Sequence, residues 1–222
     1  MKQTRFKKEN DKWGNEMKLK YPRTFHLPYS EKPSSDDKRL DDDSIFDGEV
    51  VSVTLKYDGE NTTLTSEDYW ARSLNCSDRV YRHWIKNFHA NIAQDIPKNW
   101  RICGENLYAK HSCYYNNLKS YFYGFNIWDG EKCLSWKDTL EYFKMLNIIP
   151  VEEIYNGIYN KSKILEVWKN YSPSNEGFVI RKVKEFEYKD FSFNVAKFVG
   201  KDFILPDDHW IHQEIQTNKS LS

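Results

Sequence analysis

Lys56-Tyr57-Asp58-Gly59 is the stretch whose residue types point most directly to covalent chemistry. A lysine amine, with an ordinary pKa of about 10.4, becomes a nucleophile when burial or neighbouring cations lower that value. Taken alone, the tetrapeptide equally describes a solvated lysine beside an ordinary turn. Lys197 interrupts the apolar run Phe193-Asn194-Val195-Ala196-Lys197-Phe198-Val199. Lysine is almost never fully buried without a partner. Lys197 therefore faces an anionic ligand or an internal carboxylate, or it snorkels to water from an edge strand. Glu176-Gly177 opens the run Phe178-Val179-Ile180-Arg181, and Gly104-Glu105 repeats the pairing of glycine and acid. An acid at a strand start holds a metal ion or a ribose hydroxyl, or is simply a charged turn residue, and glycine permits close backbone approach. Two carboxylates with several cations are what Mg²⁺ and a triphosphate require. Phe125, in Tyr121-Phe122-Tyr123-Gly124-Phe125-Asn126-Ile127-Trp128, stacks on a base or fills the core.

The elements that must position these groups follow from periodicity. Val51, Val53 and Leu55 alternate with Ser52, Thr54 and Lys56, which predicts a half-buried strand over 50–56. Asp58-Gly59 predicts a hairpin turn, with 61–64 as the returning strand. A helix is expected over 79–95, with Val80, Trp84, Phe88, Ile92 and Ile96 as its apolar stripe and Arg79, Arg82, Lys86 and His89 off it. Strands are expected at 100–103, 121–128, 177–183 and 191–199, and helices at 137–146 and 162–168, the former after a Ser135-x-x-Asp138 cap. Pro22, Pro28 and Pro33 with Ser34-Ser35-Asp36-Asp37 mark 22–44 as loop-rich. This order predicts an α+β fold of mainly antiparallel β-sheets flanked by helices.

Composition narrows the function classes. The 222 residues read as one domain, 1–222, with a sizeable core, and aromatics at 16% predict much ring packing. No apolar stretch is long enough for a membrane span, and no signal peptide is expected at the N-terminus. Cys76, Cys103, Cys113 and Cys133 show neither C-x-x-C pairs nor metal-ligand spacing with histidine, and read as reduced thiols of a cytoplasmic protein. His26, His111 and His209 have no spacing for a metal or a triad and read as structural or substrate-facing. No glycine-rich phosphate loop of the P-loop or Rossmann type occurs. Net charge is zero, yet a basic arm over 1–25 precedes an acidic segment at 36–49. The two either pair with each other or leave the arm to contact RNA.

Taken in order, the motifs resemble the ATP-dependent RNA ligase family, part of the covalent nucleotidyltransferases that include DNA ligases and mRNA capping enzymes. Lys56-Tyr57-Asp58-Gly59 is similar to the family's nucleophile motif, Ala71-Arg72-Ser73 to its following arginine element and Gly104-Glu105 to its first acidic element. Phe125-Asn126 falls where the family usually has Phe-Asp. Glu176-Gly177-Phe178-Val179-Ile180-Arg181 resembles the second acidic motif, and Ala196-Lys197 the closing lysine motif. Tyr21-Pro22-Arg23-Thr24-Phe25-His26-Leu27-Pro28 and Asn106-Leu107-Tyr108-Ala109-Lys110-His111-Ser112 are similar to one branch of these ligases, so the resemblance spans 20–210.

The resemblance implies a nucleotidyltransferase (ATP-grasp-like) ligase domain. In it Lys56 attacks the α-phosphate of ATP, releases pyrophosphate and forms lysyl-AMP. AMP then passes to an RNA 5′-phosphate, and a 3′-hydroxyl displaces it to seal the strand in RNA repair. It further implies that Lys197, Arg181 and Arg72 balance the triphosphate charge and lower the Lys56 pKa, with Lys197 and Glu176 among the catalytic groups. Phe125 stacks on adenine, and Glu105 and Glu176 hold the ribose or a metal, Mg²⁺ or Mn²⁺. Departures from the family pattern are Asn126 in place of an acid, Val199 and Gly200 where a second cation is usual (the next is Lys201), and Leu55 before the nucleophile, which leaves base recognition there to its backbone. Strand parity sets Lys182 beside Arg181 as the candidate cation of that motif. Only about 20 residues follow the closing motif, so no separate C-terminal domain is expected; RNA grip falls to the basic arm, the cationic face of the 79–95 helix or a partner protein. A DNA-nick ligase, a capping-type transferase and an inactive RNA-end-binding relative share much of this pattern.

Overall fold

The computed structural model describes residues 18–31, 37–74, 80–172, 175–200 and 216–221. Twelve strands run in chain order: β1 Phe25–His26, β2 Val50–Lys56, β3 Glu60–Leu64, β4 Tyr69–Ala71, β5 Trp100–Asn106, β6 Phe122–Asp129, β7 Lys132–Cys133, β8 Ile149–Pro150, β9 Glu153–Ile158, β10 Gly177–Lys182, β11 Phe186–Glu187 and β12 Val195–Val199. Three helices, α1 His83–Ile92, α2 Trp136–Met145 and α3 Lys161–Trp168, lie between them. The strands form two sheets, β1-β12-β10-β2-β9 and β11-β7-β6-β5-β3-β4, with β8 beside β6. All pairings are antiparallel except β1 with β12 and β6 with β8. The expected α+β class is therefore observed.

The sheets stack face to face, with helices on the outside. Val51, Val53 and Leu55 of β2 pack with Phe178, Ile180, Phe198 and, from α3, Ile164 and Trp168. On the far side, Ile85 of α1 and Phe143 of α2 close over Leu64, Ile102, Phe122 and Ile127. Between the sheets, Val195 and Val179 meet Cys103, Trp128 and Phe125. Each sheet is thus covered on both faces, which accounts for a correction to the half-buried reading of β2. Ser52 and Thr54, on its polar side, are buried too, and the Ser52 hydroxyl donates to the Glu153 carboxylate at 2.5 Å.

The expected hairpin does not form. β2 pairs with β10 and β9, whereas β3 pairs with β4 and β5, so residues 57–59 carry the chain from one sheet to the other. Gly59 is needed for closeness rather than for a hairpin turn. A Cβ there would lie 2.5 Å from the Asn106 carbonyl oxygen and 2.7 Å from a Leu107 methyl.

The 79–95 helix is regular only over α1, with 3-10 turns at Val80–Arg82 and Ala93–Asp95; Arg79 lies outside the described residues. Its buried centre is Ile85 and His89, one residue on from the expected stripe, with Trp84, Phe88 and Ile92 only partly buried. His89 turns inward because its Nε2 bonds the Thr65 carbonyl at 2.8 Å. Arg82 is also internal, donating to Glu60 at 2.5 Å, so the cationic face loses two of its members. At α2, the expected cap is present: Ser135 Oγ accepts from the Asp138 amide at 3.1 Å. The last strand starts late, at Val195, because Tyr188–Phe193 forms a 3-10 turn in which Asn194 donates to the Asp190 carbonyl.

Candidate active site

β2, β10 and β12 lie side by side, and their registers decide which side chains share a face. Val179 stands opposite both Thr54 and Lys197, while Lys56 stands opposite Gly177. Thr54, Lys56, Val179, Arg181, Val195 and Lys197 consequently face the second sheet, where they line a cavity of about 300 Å³. Lys182 points the other way and pairs with Glu49 at 3.5 Å, so of the two candidates Arg181 is the one at the cavity. Glu176, immediately before β10, does not line the cavity, but its carboxylate contacts the Lys56 ammonium directly. That contact needs β10 to run hard against β12 at this point: a Cβ on Gly177 would sit 1.9 Å from the Phe198 carbonyl oxygen.

β12 is not an edge strand, since β1 pairs along its outer side. Lys197 thus turns inward and meets Asp37 Oδ1 at 3.1 Å, and His26 Nε2 lies 3.2 Å from the other Asp37 oxygen. Arg181 spans the two sheets. Its guanidinium donates to the Phe125 carbonyl at 2.5 Å and lies 4.9 Å over the Trp136 ring.

The facing sheet supplies Glu105, Phe125 and Asn126, together with Asn61 and Arg72. Its ladder slips between Cys103 and Gly104: Cys103 pairs with Asn126, Gly104 with Gly124, and Phe125 is the extra residue. In an unbroken strand, Phe125 and Asn126 would face opposite sides; at this bulge both reach the cavity. The Phe125 ring stands edge-on to Tyr21, 5.3 Å between centroids. Asn126, 1% exposed, accepts from the Tyr21 hydroxyl at 2.7 Å and donates to Cys133 Sγ at 2.9 Å. An ionised aspartate has no N–H to donate to Cys133 and could only accept from its thiol. Arg72 donates to the Tyr21 carbonyl at 3.2 Å, and Glu105 accepts from the Gly59 amide at 3.1 Å. Asn61 Oδ1 is buried with no hydrogen-bond partner among the described residues, a vacant acceptor in the cavity wall. The Leu55 amide is already committed to the Glu152 carbonyl at 2.8 Å, which removes it from base recognition.

Charge is concentrated here on largely buried side chains. Burial pulls the Lys56 pKa down, but Glu176 and then Glu105 outweigh it and leave the ammonium held above its ordinary value. The expected depression of Lys56 by surrounding cations is therefore not what the ligand-free protein has. Burial raises Glu105 to about 8, against the pull of Lys56, and it raises Glu176 as well. Lys197 is lowered by burial and then by Lys56, and Arg72 by burial and then by Arg23. The site stores positive charge at some cost, in the form an anion would relieve.

Six of the seven residues singled out in the sequence line the cavity, and Glu176 touches Lys56 from behind it. Asp37 and Asn61 are additions that no motif marked, whereas Tyr21 and Arg23 belong to the flanking stretch that resembles one branch of the ligases. Among the described residues no group of three or more His, Cys, Asp or Glu side chains would hold a metal unaided. Glu105 and Glu176 both act electrostatically on Lys56, and one or two carboxylates completed by phosphate and water are the donor set a Mg²⁺-like ion takes.

Comparison with known proteins now bears on this geometry. The family model described as RNA ligase matches residues 49–199. No curated protein sequence matches the chain. Among solved structures, a Naegleria gruberi RNA ligase mutant with ATP and Mn is 15% identical with a TM-score of 0.50, covering 85% of this chain and 61% of its own. The Naegleria gruberi RNA ligase with PPi is 17% identical with a TM-score of 0.50, covering 86% and 62%. An archaeal ATP-dependent RNA ligase is 12% identical with a TM-score of 0.50, covering 71% and 44%. These structures share the fold, and the chain spans about three fifths of the length of the Naegleria protein.

Proposed function

The chain belongs to the RNA ligase family, and from that premise we propose that it is an ATP-dependent RNA ligase that works through a lysyl-AMP intermediate in RNA repair. The observation that carries this is the Lys56–Glu176 contact at a cavity whose walls also hold Lys197, Arg72, Glu105 and Phe125. The Naegleria structures solved with ATP and Mn and with PPi support ATP, divalent metal and pyrophosphate as the ligands of such a cleft.

Lys56 Nζ must lose a proton before it can attack, and Glu176, its direct partner with a raised pKa, is the acceptor in contact. The neutral amine attacks the α-phosphorus in line; the N–P bond forms, the bond to the β-phosphate oxygen breaks, and pyrophosphate leaves. Lys197, Arg72 and Arg181 carry fixed positive charge toward the phosphates, so little reorganisation is needed as charge develops. Glu105 and Glu176 would hold Mg²⁺ or Mn²⁺ or the ribose hydroxyls, and the ion when bound would neutralise charge on the leaving pyrophosphate. Phe125 stacks on the adenine, and Asn61 Oδ1 accepts a ligand hydroxyl or amine. An RNA 5′-phosphate then takes the AMP, and a 3′-hydroxyl displaces it.

RNA ends are the substrate, with grip beyond the cleft from the basic arm, the cationic face of the 79–95 helix or a partner protein. No described helix is long and apolar enough to cross a membrane. The free thiols of Cys103, Cys113 and Cys133 support a reducing, cytoplasmic setting. The test is incubation with Mg²⁺ and ATP labelled at the α-phosphate, followed by a chase with 5′-phosphorylated RNA or DNA. Label on the wild type but not on Lys56→Ala, chased to RNA and sealed there, is expected. Efficient sealing of an all-DNA nick would move the proposal to DNA; no label with ATP binding intact would end it.

A further inference from the structure

Residues 216–221 lie against a loop that the mechanism has not used. The loop over 107–121 has no helix or strand of its own, so its shape depends on what it bonds to. Much of that is the 216–221 segment. The Lys110 amide donates to the Gln216 carbonyl at 2.7 Å, the Asn218 amide to Tyr108 at 3.1 Å, the Lys219 amide to Tyr115 at 2.9 Å, and the Leu118 amide back to Lys219 at 3.1 Å. At the centre is Asn218, 1% exposed. Its Nδ2 donates to the Leu107 carbonyl at 2.8 Å and to the Ala109 carbonyl at 3.4 Å, and its Oδ1 accepts from the Tyr115 amide at 2.9 Å.

The loop in turn holds the residues that follow the nucleophile. The Ser112 and Cys113 amides donate to Asp58 Oδ2 at 2.6 and 3.2 Å. The Asp58 amide donates to the Tyr115 hydroxyl at 3.0 Å, and the Tyr115 ring packs against Tyr57, 5.6 Å between centroids. Two steps of hydrogen bonding thus join a buried asparagine to the turn two residues beyond Lys56.

We propose that residues 216–221 act as a strap, and Asn218 as a positioning residue, that fixes the Lys56 turn for in-line attack; this rests on the ligase reading above. The strap works through the loop and Asp58 and touches no nucleotide. Most of the side chains that would bind ATP, among them Lys56, Glu105, Phe125, Arg181 and Lys197, stand on strands of the two sheets; of the cavity lining, Tyr57 is in ring contact with Tyr115 of the loop. Loss of the strap therefore separates binding from chemistry. A displacement of about 1 Å at an attacking group is enough for a loss on the order of a hundredfold.

The test compares wild type, Asn218→Ala and Tyr115→Phe. The second variant removes one hydroxyl from the Asp58 amide and leaves the ring in place. Expected are adenylate formation at saturating ATP slowed about ten- to a hundredfold in Asn218→Ala and less in Tyr115→Phe, with ATP affinity within about twofold. The double variant should be slower by less than the product of the two effects. Hydrogen exchange reads the strap without catalysis: the Ser112 and Cys113 amides should lose protection in Asn218→Ala, while the amides of β10 keep theirs. Unchanged exchange at Ser112 and Cys113 overturns the strap, as does an adenylation rate that falls only with the folded fraction, or fully multiplicative effects. Exchange that shifts as expected in a wild type that forms no adduct would overturn the ligase reading and leave the strap standing.

Discussion

The two sheets that close on the cavity are built by different rules. β2, β10 and β12 are regular where they pair with each other, so Thr54, Lys56, Val179, Arg181, Val195 and Lys197 reach the cleft by simple alternation. The facing sheet breaks its own ladder: β5 and β6 slip by one residue, and the slip brings Phe125 and Asn126 to the same side. The regular sheet supplies most of the charge, and the bulged sheet an aromatic face, two amides, one carboxylate and Arg72. Cations for a phosphate need only approximate placement, because their field acts over distance. A ring that stacks on a base needs a particular plane, and a bulge can re-aim it.

That division predicts unequal losses. Lys197→Ala, on the regular sheet, should slow adenylate formation by about a hundredfold or more, on the order of 3 kcal/mol of transition-state stabilisation. Single-turnover labelling at saturating ATP measures it, and a change in ATP affinity alone would erase the contrast between the sheets. Gly177→Ala tests the regular sheet as structure. With a Cβ 1.9 Å from the Phe198 oxygen, it should lose about 3 kcal/mol in urea unfolding. Gly59→Ala, where the chain crosses between sheets, should weaken adduct formation relatively more than stability.

Phe125→Ala, on the bulged sheet, should raise the ATP KM several-fold, about 1 kcal/mol, with adenylation at saturating ATP nearly unchanged. A pH slope in stability tests the carboxylate of the bulged sheet. Burial raises Glu105 from 4.5 to about 8, so the folded state binds a proton there that the unfolded chain has released. This group's stabilising contribution is complete below pH 4.5 and is lost as the pH rises toward 8. Glu105→Gln should flatten that part of the melting-temperature profile, and a profile as steep as wild type would place the linkage elsewhere.

The same contrast explains what the sequence revealed. Along β2 period-two alternation was legible, and the strand has its expected bounds; β10 differs by one residue at its end, and β12 starts four residues late. What covered those strands was not legible. Asp58-Gly59 has the composition of a hairpin turn, yet the glycine serves close packing against Asn106 and Leu107 as the chain changes sheets. A one-residue slip leaves no trace in a string of aromatic and apolar residues, so nothing at Phe125-Asn126 announced the bulge. β1, two residues long, carries no periodicity, yet it turns β12 from an edge strand into an inner one. The phase of α1 was misread because His89 satisfies a backbone carbonyl and behaves as core. Of the groups around the nucleophile, Lys197 stood out by charge inside an apolar run and Glu176 as an acid opening one. Asp37 and Asn218 lay in polar segments where acids and amides are unremarkable.

The central claim is that Lys56, and no other lysine at this cleft, is the covalent nucleophile. Intact-mass measurement after incubation with ATP and Mg²⁺, followed by peptide fragmentation, tests it directly. The account predicts one AMP per chain, on the peptide bearing Lys56, and none on Lys56→Ala. AMP on Lys197, or no adduct in a protein that binds ATP, would contradict it.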